Sequence, residues 1–245
     1  MKHRLFLAST LLVFVASSAT VSMADLTEGL VGYWPLDGDA DDPVGEHNGT
    51  LIGGASFVED PARGTVLSVD GTDDHIEVPH AEDMVFSTSD SYSLSAWVYL
   101  EELPGSWQTV MAKSRDQGTH YGFWITDGGD WMGGGWENRG SKAVTQVWVH
   151  VAYVQDGAAS TGTTYINGEV DWSGGPRDGT GLGDFWIGGA KSVNEFLGGF
   201  IDDVAVYNRV LSSDEVQQLA SGANIFAAVE PGAKLTTTWG SIKGE

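Results

Sequence analysis

The sequence consists of many short strand-like segments separated by turn residues, and this pattern constrains the fold more than any other feature. Residues 92–100 show it best: apolar residues alternate first with serines and then with Trp97 and Tyr99, the two-residue period of a strand. Comparable runs rich in β-branched and aromatic residues occupy 66–69, 75–78, 108–113, 121–126, 131–136, 147–154, 163–166, 185–187 and 200–207. Asn167-Gly168 adds a strong signal for a two-residue hairpin. This pattern predicts an all-β fold, a two-sheet antiparallel β-sandwich of jelly-roll type.

A single helix is expected near the C-terminal end. Ser212 and Glu215 have the spacing of a capping box, in which each side chain satisfies a backbone N–H of the other. Val216 and Leu219 then fall on one face, and Gly222 stands where a glycine commonly ends a helix. The sequence therefore predicts one short C-terminal helix on the sandwich.

Residues 1–24 have the features of a secretory signal peptide. A basic start precedes an apolar stretch, and the small residues Ser22 and Ala24 fit cleavage after Ala24. The alternative is a membrane anchor, but the apolar run is short and is followed by Asp25. We expect a protein that is secreted, or located at the cell surface or in the periplasm, with no membrane insertion after cleavage. Residues 25–224 would form the folded domain and 225–245 a tail or a terminal strand.

The charge of the chain excludes several kinds of partner. It has 12 Lys+Arg against 34 Asp+Glu, a formal net charge of -22, and no cysteine. Nucleic acids and anionic membranes are bound by clustered basic residues, so neither is expected as a partner. Without cysteine there are no disulfides, thiolate metal sites or cysteine nucleophiles. An acidic chain can, however, attract a divalent cation.

Several segments resemble LamG-like jelly-roll domains of the concanavalin A-like lectin/glucanase superfamily. In order along the chain they are residues 29–38, 40–45, 69–79, 93–98, 148–152, 165–168 and 199–212. The resemblance implies two antiparallel sheets, one of them curved, with ligands at a rim or on the concave face. Such domains include lectins, adhesion modules and carbohydrate-binding partners of glycosidases, so the resemblance alone does not define a function.

Carboxylates cluster in the loop at 37–42, where Asp39 and Asp41 alternate with other residues. Oxygen ligands at alternating positions suit Ca²⁺, and the alternative is a solvated acidic turn. Asp202 and Asp203 lie inside the closing strand, and with a two-residue period one of them should point into the core and need a partner. The resemblance implies that the first and last strands are neighbours. The resemblance therefore implies that the loop at 37–42, with Asp37, Asp39 and Asp41, shares one structural calcium ion with Asp202 or Asp203.

Asp73 and Asp74 form a further acidic cluster, just before the strand at 75–78. They fall where pentraxins, relatives of this fold, have two calcium ligands. The remaining pentraxin ligands would come from residues 188–195, which offer only Asn194 and Glu195. This departure argues against a pentraxin-type double site, although Asp73 and Asp74 remain candidate ligands.

No catalytic motif is recognisable. The nearest match to the glucanase pattern Glu-x-Asp-x-Glu is Glu169-Val-Asp171, but Ser173 and Gly174 stand where the second Glu belongs. His150 alternates with apolar residues and is expected to be a packed strand histidine. Nucleophile-elbow, HExxH and phosphate-loop motifs are absent from the sequence. We expect a protein that is not an enzyme; a glycosidase would need two acids within about 10 Å in a cleft.

Tryptophans supply candidate platforms for stacking on sugars. Trp34, Trp97, Trp148 and Trp186 lie in regular strand patterns and are predicted to be in the core. Candidate ligand-binding residues lie near turns instead, mostly in the Gly-rich segment 127–139: Trp107, Trp131, Trp136, Asp130, Asn138 and Arg139. On an unbroken strand Trp131 and Trp136 face opposite ways, so only one could be the platform. The alternative is that these aromatic residues are structural and underlie a Gly-rich hairpin.

Taken together, these patterns predict a secreted, non-catalytic carbohydrate-binding (lectin-like) or adhesion module with a structural calcium ion, whose partner is a glycan or an extracellular protein. The alternative from another class is an extracellular protein–protein interaction module, which would present an exposed apolar patch.

Overall fold

A computed structural model describes residues 25–117, 119–135, 139–175 and 181–226. The predicted signal peptide and residues 227–245 lie outside the described residues. Within these ranges the chain forms seventeen strands and one α-helix. The strands are β1 (Leu30–Trp34), β2 (Thr50–Ile52), β3 (Ser56–Asp60), β4 (Gly64–Asp70), β5 (His75–Val78), β6 (Tyr92–Leu100), β7 (Gln108–Lys113), β8 (Tyr121–Ile125), β9 (Asp130–Gly133), β10 (Arg139–Lys142), β11 (Trp148–Asp156), β12 (Thr161–Ile166), β13 (Glu169–Gly174), β14 (Phe185–Ile187), β15 (Gly189–Ala190), β16 (Glu195–Phe196) and β17 (Gly198–Tyr207); the helix is α1 (Ser213–Ala220).

The strands form two antiparallel sheets, which confirms the predicted sandwich. The eight-stranded sheet has the order β13-β12-β11-β6-β17-β4-β3, with β1 also pairing with β17. The seven-stranded sheet has the order β10-β9-β8-β7-β14-β5-β2. Each of the ten predicted segments contains a strand, and the first strand β1 pairs with the last strand β17 as expected, with Trp34 opposite Val204.

The main core lies between the two sheets. Its large members include Trp34, which is fully buried and stacks on Phe185 with ring centroids 5.2 Å apart. At the other side of the core, Tyr92 packs against Phe86 and Tyr121 at 5.0 and 4.9 Å. Trp34 and Trp186 are buried as predicted.

Helix α1 covers part of the outer face of the eight-stranded sheet. Val216 and Leu219 pack there in a second apolar cluster with Ala205 and Tyr207. The predicted capping box is present, because Ser212 accepts from the Glu215 N–H and Glu215 accepts from the Ser212 N–H. Ile225 packs in the same cluster, so the folded part of the chain continues at least one residue beyond 224.

The rest of that outer face carries half-buried aromatic side chains, which we call the aromatic strip: Trp97, Tyr99, Trp148 and Phe200. The prediction that Trp97 and Trp148 belong to the core was therefore wrong. The second half of β6 is apolar on both faces, so its two-residue period could not tell the inner face from the outer face. The outer rings shield one another instead, with Tyr99 5.7 Å from Trp148 and 5.5 Å from Phe200.

A β-bulge interrupts β17 at the two aspartates. Asp202 lies opposite Trp97 and Ala205 opposite Ser95, so β17 has one residue more than β6 between these pairs. Asp203 takes up the extra residue with φ of 50°, in the left-handed region. The expectation that one of the two aspartates points into the core was therefore wrong. The bulge breaks the two-residue period, and both carboxylates lie on the outer face of the sheet.

Candidate functional site

A cleft of about 460 Å³ opens on the outer face of the eight-stranded sheet, between β17, the turn before β4 and the C-terminal end of α1. Its polar and aromatic side chains come from distant parts of the chain: Tyr33, Asp37, Arg63, Trp97, Asp202 and Asp203. The far wall is the last residue of α1 and the segment that follows it, residues 220–224. The cleft adjoins the aromatic strip through Trp97. Its volume lies in the range of small-molecule sites.

Arg63 organises this cleft. The turn that presents it is fixed by Asp60, whose carboxylate accepts from the Arg63 N–H at 3.0 Å. The guanidinium lies 4.3 Å over the Trp97 ring and 5.4 Å from that of Trp148. Its Nε donates to Asp202 Oδ2 at 2.6 Å and its Nη2 donates to Asp203 Oδ2 at 2.5 Å. One guanidinium thus holds the two carboxylates that the bulge brings to the same side.

The remaining acceptors of the two aspartates differ. Tyr33 donates its hydroxyl to Asp203 Oδ1, so both oxygens of Asp203 are bonded. Oδ1 of Asp202 has no hydrogen-bond partner among the described residues, although Asp202 is 4% exposed. The cleft therefore contains a buried carboxylate oxygen that accepts no hydrogen bond from the described part of the protein.

The electrostatics of the cleft favour protons or cations. Burial and the neighbouring charge of Asp203 raise the pKa of Asp202 to about 7, against the opposing effect of Arg63. The pKa of Asp37 is also raised, first by burial and then by the charge of Asp203. Burial raises the pKa of the Tyr33 hydroxyl as well, so it remains a hydrogen-bond donor.

His150 lies beneath the cleft as a structural residue, as the sequence predicted. It is 1% exposed, its Nε2 is 2.9 Å from Ser95 Oγ, and its ring meets that of Trp97 edge-on at 5.3 Å. Burial, together with the charge of Arg63, lowers its pKa to about 3. A neutral histidine that packs under Trp97 fixes the orientation of that ring.

The structure brings only part of the first predicted set of calcium ligands together: Asp37 lines the cleft with Asp202 and Asp203. Asp39 and Asp41 are exposed, and Asp39 Oδ1 accepts the Asp41 N–H in a local turn. Arg63 bonds the carboxylates of Asp202 and Asp203. A guanidinium supplied by a distant turn thus meets the need of the two aspartates for a cation, and Asp37 is the member of the predicted loop that lines the cleft beside them. The shared calcium ion itself stays a prediction.

The neighbouring Asp42 is structural. It is 2% exposed, and its carboxylate accepts backbone N–H groups of Tyr33, Val44, Gly45 and His47 at 2.9–3.2 Å. An anion that accepts several N–H groups needs no cation to be stable in a buried position.

Asp73 and Asp74 do converge with a third acid. One oxygen each of Asp70, Asp73 and Asp74 lies within 4.8 Å of the others. Asp74 is buried and accepts N–H groups from Gly54 and Asp70, whereas Asp70 and Asp73 are exposed. Three hard oxygen donors suit Ca²⁺ chemically.

The remaining candidate ligands of a pentraxin-type site, Asn194 and Glu195, do not join this cluster of acids. Arg115 donates to both oxygens of Glu195, at 2.9 and 2.6 Å, and Thr109 donates to the same carboxylate at 3.2 Å. Asn194 is exposed. Glu195 therefore serves a buried ion pair.

The predicted sugar platform is contradicted at Trp131, which is 1% exposed and packs in the main core at 6.1 Å from Phe123. Glycines beside it indicated a turn, but the register of β9 directs the ring inward. Asp130 forms ion pairs with Lys142 and Arg139, at 2.5 and 3.5 Å.

Of the other hairpin candidates, Trp107 is half-buried, and the guanidinium of Arg139 lies 5.6 Å from its ring. Trp136 and Asn138 lie outside the described residues.

The glucanase-like segment is an exposed hairpin arm. Asn167 and Gly168 both have positive φ, 51° and 83°, which matches the predicted two-residue turn. Glu169 is exposed, and Asp171 accepts the Ser141 N–H at 2.8 Å. These two acids do not line the cleft.

Sequence reasoning missed the cleft as a site because its central cation, Arg63, is 139 residues from Asp202 along the chain. One signal was present in the sequence: two adjacent aspartates inside an apolar strand demand a partner. The identity of that partner could be read only from the structure.

A two-sheet antiparallel sandwich with a polar, aromatic-walled cleft on one outer face has the architecture of lectin-like jelly-roll domains. The chain belongs to the concanavalin A-like lectin/glucanases superfamily, since the Laminin_G_3 family model matches residues 70–217. That superfamily contains both enzymes and non-catalytic binding modules. No curated protein sequence matches the chain.

Solved structures share the fold at low sequence identity. Domain 4 of AbnA, a GH43 extracellular arabinanase from Geobacillus stearothermophilus in complex with arabinotriose, matches with 23% identity and a TM-score of 0.60, over 78% of this chain and 98% of that one. The binding domain of Paraclostridial Mosquitocidal Protein 1 matches with 16% identity and a TM-score of 0.61, over 80% of this chain and 53% of that one. Trypanosoma rangeli sialidase matches with 18% identity and a TM-score of 0.62, over 87% of this chain but 36% of that one. At these identities the likeness concerns the fold.

The described part of the chain contains no helix with the length and apolar character needed to cross a membrane.

Proposed function

We propose that this chain is a secreted carbohydrate-binding module without catalytic activity, and that the glycan binds in the cleft beside the aromatic strip. In this proposal the chain is exported by the signal peptide that ends at Ala24. The observation that carries it is the arrangement of the cleft: an aromatic ring, Trp97, stands beside fixed carboxylates and a phenol. Sugars are bound in this way, by ring contact on their C–H faces and by hydrogen bonds to their hydroxyls.

The pre-organisation of the cleft supports the proposal. Arg63 stacks on Trp97 and bonds two carboxylates, so these side chains are held in one geometry before a ligand arrives. Such a site loses little side-chain entropy on binding. The likeness to an arabinanase domain solved with arabinotriose is consistent with this proposal.

The experiment is a glycan array with the purified protein, followed by calorimetric titration of the best ligand. The Trp97→Leu variant should bind about 2- to 13-fold more weakly, because a ring contact contributes about 0.5–1.5 kcal/mol beyond burial. Trp107→Leu is the matched control, since Trp107 is another half-buried tryptophan with an arginine near its ring. Loss of binding in Trp107→Leu alone would move the site to the hairpin, and an array without ligands would favour a protein partner.

A second candidate function, glycoside hydrolysis, is favoured by one observation. Asp202 and Asp203 both line the cleft, and the pKa of Asp202 is raised to about 7, as in catalytic acids. We prefer binding because Arg63 bonds both carboxylates and holds them as ion pairs. Release of reducing ends from a bound glycan, lost in both Asp202→Asn and Asp203→Asn, would establish hydrolysis instead.

We also propose a structural calcium ion at Asp70, Asp73 and Asp74. What supports it is the convergence of three carboxylate oxygens at the start of β5. Ca²⁺ takes six to eight oxygen ligands, so carbonyls or waters would complete the shell. The role of the ion would be to hold the turn between β4 and β5 against the mutual repulsion of the three acids.

A further inference from the structure

The hairpin formed by β3 and β4 extends beyond the part of the sheet that holds it. Strand β17 pairs with residues 67–70 of β4. Among the described strands, residues 58–60 and 64–66 of the hairpin pair only with each other. We call residues 59–65 the hairpin tip, and none of them is fully buried. The tip is therefore a two-stranded extension with no third strand beside it among the described strands.

The hairpin tip lies across the outer face of the eight-stranded sheet. Strands β4, β17 and β6 separate β3 from β11 in the sheet order, yet Asp60 of β3 accepts the indole N–H of Trp148 of β11 at 3.1 Å. Arg63 reaches Asp202 of β17 and the ring of Trp97 of β6. The tip therefore bends over β17 and β6 and covers one end of the aromatic strip.

Two side chains hold the hairpin tip in this position. Arg63 donates to both aspartates of the bulge and lies over two indole rings. Asp60 accepts the N–H of one of these indoles, whereas Pro61, Ala62 and Gly64 are exposed. Movement of the tip away from the sheet would break these side-chain contacts but would leave the strand pairs of the sheet and of the hairpin in place. Local opening of such a segment costs less free energy than global unfolding.

The cleft depends on the position of the hairpin tip. Ala62 and Arg63 supply the wall of the cleft that belongs to the tip. Arg63 is also the cation that bonds Asp202 and Asp203. Movement of the tip would remove this wall and this cation together, so the arrangement that is proposed to bind a glycan exists only while the tip is closed.

We propose that the hairpin tip is a flap, closed in this structure, that opens to admit and release a glycan and closes to assemble the cleft. Val58 and Val66 form its hinge, because they are the first pair beyond the part of β4 that β17 holds. Since the glycan binds to the closed state, bound glycan favours closure. This inference rests on the proposed function, that the cleft binds glycans, and adds the element that regulates the site.

Movement of the tip can be measured with spin labels, since the chain has no cysteine of its own. One label is attached to Asp214→Cys, at an exposed position in the first turn of α1, and the second to Ala62→Cys in the tip. The matched control pair combines Asp214→Cys with Ser56→Cys, which is exposed on β3 opposite the part of β4 that β17 holds. Pulsed electron paramagnetic resonance gives the distance distribution of each pair.

Both pairs should give a single distance when the rest of the chain is wild type. Arg63→Met should add to the Ala62 pair a component that is longer by at least about 5 Å, because the tip extends roughly 13 Å beyond its hinge. Trp148→Phe keeps an aromatic ring but removes the N–H bonded to Asp60, and it should add a smaller fraction of the same component. The distance of the Ser56 pair should stay unchanged in both variants, which shows that the sheet remains folded.

The matched control for Arg63→Met is Arg139→Met, which removes exposed ion pairs on the other sheet and should add no longer component. A single unchanged Ala62 distance in both Arg63→Met and Trp148→Phe would overturn the proposal. A longer component in Arg139→Met would also overturn it, as would equal changes in the Ser56 and Ala62 pairs, because the movement would then not be hinged at the tip.

Release of the glycan is measured by surface plasmon resonance with the best ligand of the array. Trp148→Phe should speed dissociation at least about threefold, since Trp148 bonds the tip but does not line the cleft. Tyr99→Phe is the matched control, because it alters another ring of the aromatic strip and leaves the bond between Trp148 and Asp60 in place. Unchanged dissociation from Trp148→Phe would overturn the regulatory role of the tip.

The two measurements separate this inference from the proposed function. The spin-label experiment contains no glycan, so a tip that does not move, in a protein that binds an array glycan, would overturn the flap and leave the glycan site in place. An array without bound glycan would overturn the proposed function and, with it, the role of the tip in glycan release.

Discussion

Replacing Arg63 by methionine tests the electrostatic account of the cleft most directly. Arg63 is 13% exposed at its side chain and bonds Asp202 and Asp203 at 2.6 and 2.5 Å. Methionine keeps much of the apolar contact with Trp97 but leaves two carboxylates without their cation. Removing one partner of a buried ion pair costs about 3–5 kcal/mol, because the other charge remains buried. For a domain of this size that loss lowers the melting temperature by roughly 6–20 °C.

The loss should depend on pH in a definite direction. The pKa of Asp202 is about 7 in the folded protein, against 3.8 for an ordinary aspartate, the value that applies to the unfolded chain. Between pH 3.8 and 7 the folded state therefore binds one proton more than the unfolded state. The contribution of this group to stability therefore falls as pH rises through that window. Arg63 lowers the pKa of Asp202, so in Arg63→Met the pKa lies higher and the decline extends above pH 7. The deficit relative to wild type should be larger at pH 8 than at pH 5, on the order of 1–3 kcal/mol larger.

The assay is urea unfolding of the wild type and of Arg63→Met at pH 5 and pH 8, monitored by tryptophan fluorescence. Arg139→Met is the matched control: Arg139 is 45% exposed, and its ion pairs with Asp127 and Asp130 are 3.8 and 3.5 Å long. Exposed pairs of this kind contribute about 0–1 kcal/mol. Equal losses in the two arginine variants, or a deficit of Arg63→Met that grows as the pH falls, would refute this reasoning.

Three further predictions concern other parts of the chain. Saturating Ca²⁺ at about 100 times its dissociation constant should raise the free energy of unfolding by about 2.7 kcal/mol relative to EDTA, and Asp73→Asn should remove this shift; a thermal midpoint unaffected by Ca²⁺ would contradict the calcium site. Ser212→Ala should cost about 1 kcal/mol in urea unfolding because it removes the cap of α1, and an unchanged midpoint would contradict the capping role. Gly199→Ala should destabilise the protein by more than about 2 kcal/mol, because Gly199 has φ of 148° and a Cβ there would lie 2.0 Å from the Tyr99 carbonyl oxygen; a wild-type melting curve would show that the strand adjusts.

The strands that sequence could predict are those with strong alternation or β-branched content, such as β6 and β11. Strand β3 was missed for a local reason, because it is polar and carries no clear two-residue period. Strand β13 is equally irregular and was indicated only by the predicted Asn167-Gly168 hairpin that leads into it. The helix was predictable down to its caps because capping depends on neighbours within a few residues.

The site was less predictable because it depends on contacts between distant residues. The glycines around Trp131 describe the local backbone, whereas the burial of the ring depends on the register of β9 against β8. The sequence indicates that Asp202 and Asp203 need a cation, but it does not show whether that cation is Ca²⁺ or the guanidinium of an arginine. The choice between them required the turn that carries Arg63 to be placed beside β17.

Because of the bulge in β17, one carboxylate of the cleft could be removed without changing the pairing of the rest of the sheet. Without Asp203, Val204 would follow Asp202 in step with Ala96 and Trp97, and the ladder with β6 would run unbroken from Gly199 to Tyr207. A one-residue deletion would therefore return the strand to regular pairing and take away one of the two carboxylates that Arg63 bonds. The inserted residue supplies one carboxylate of the centre, whereas Asp202, Arg63 and Trp97 come from other positions of the chain. Deletion of Asp203 therefore offers protein engineers a way to remove one carboxylate of the cleft while the rest of the sheet is kept.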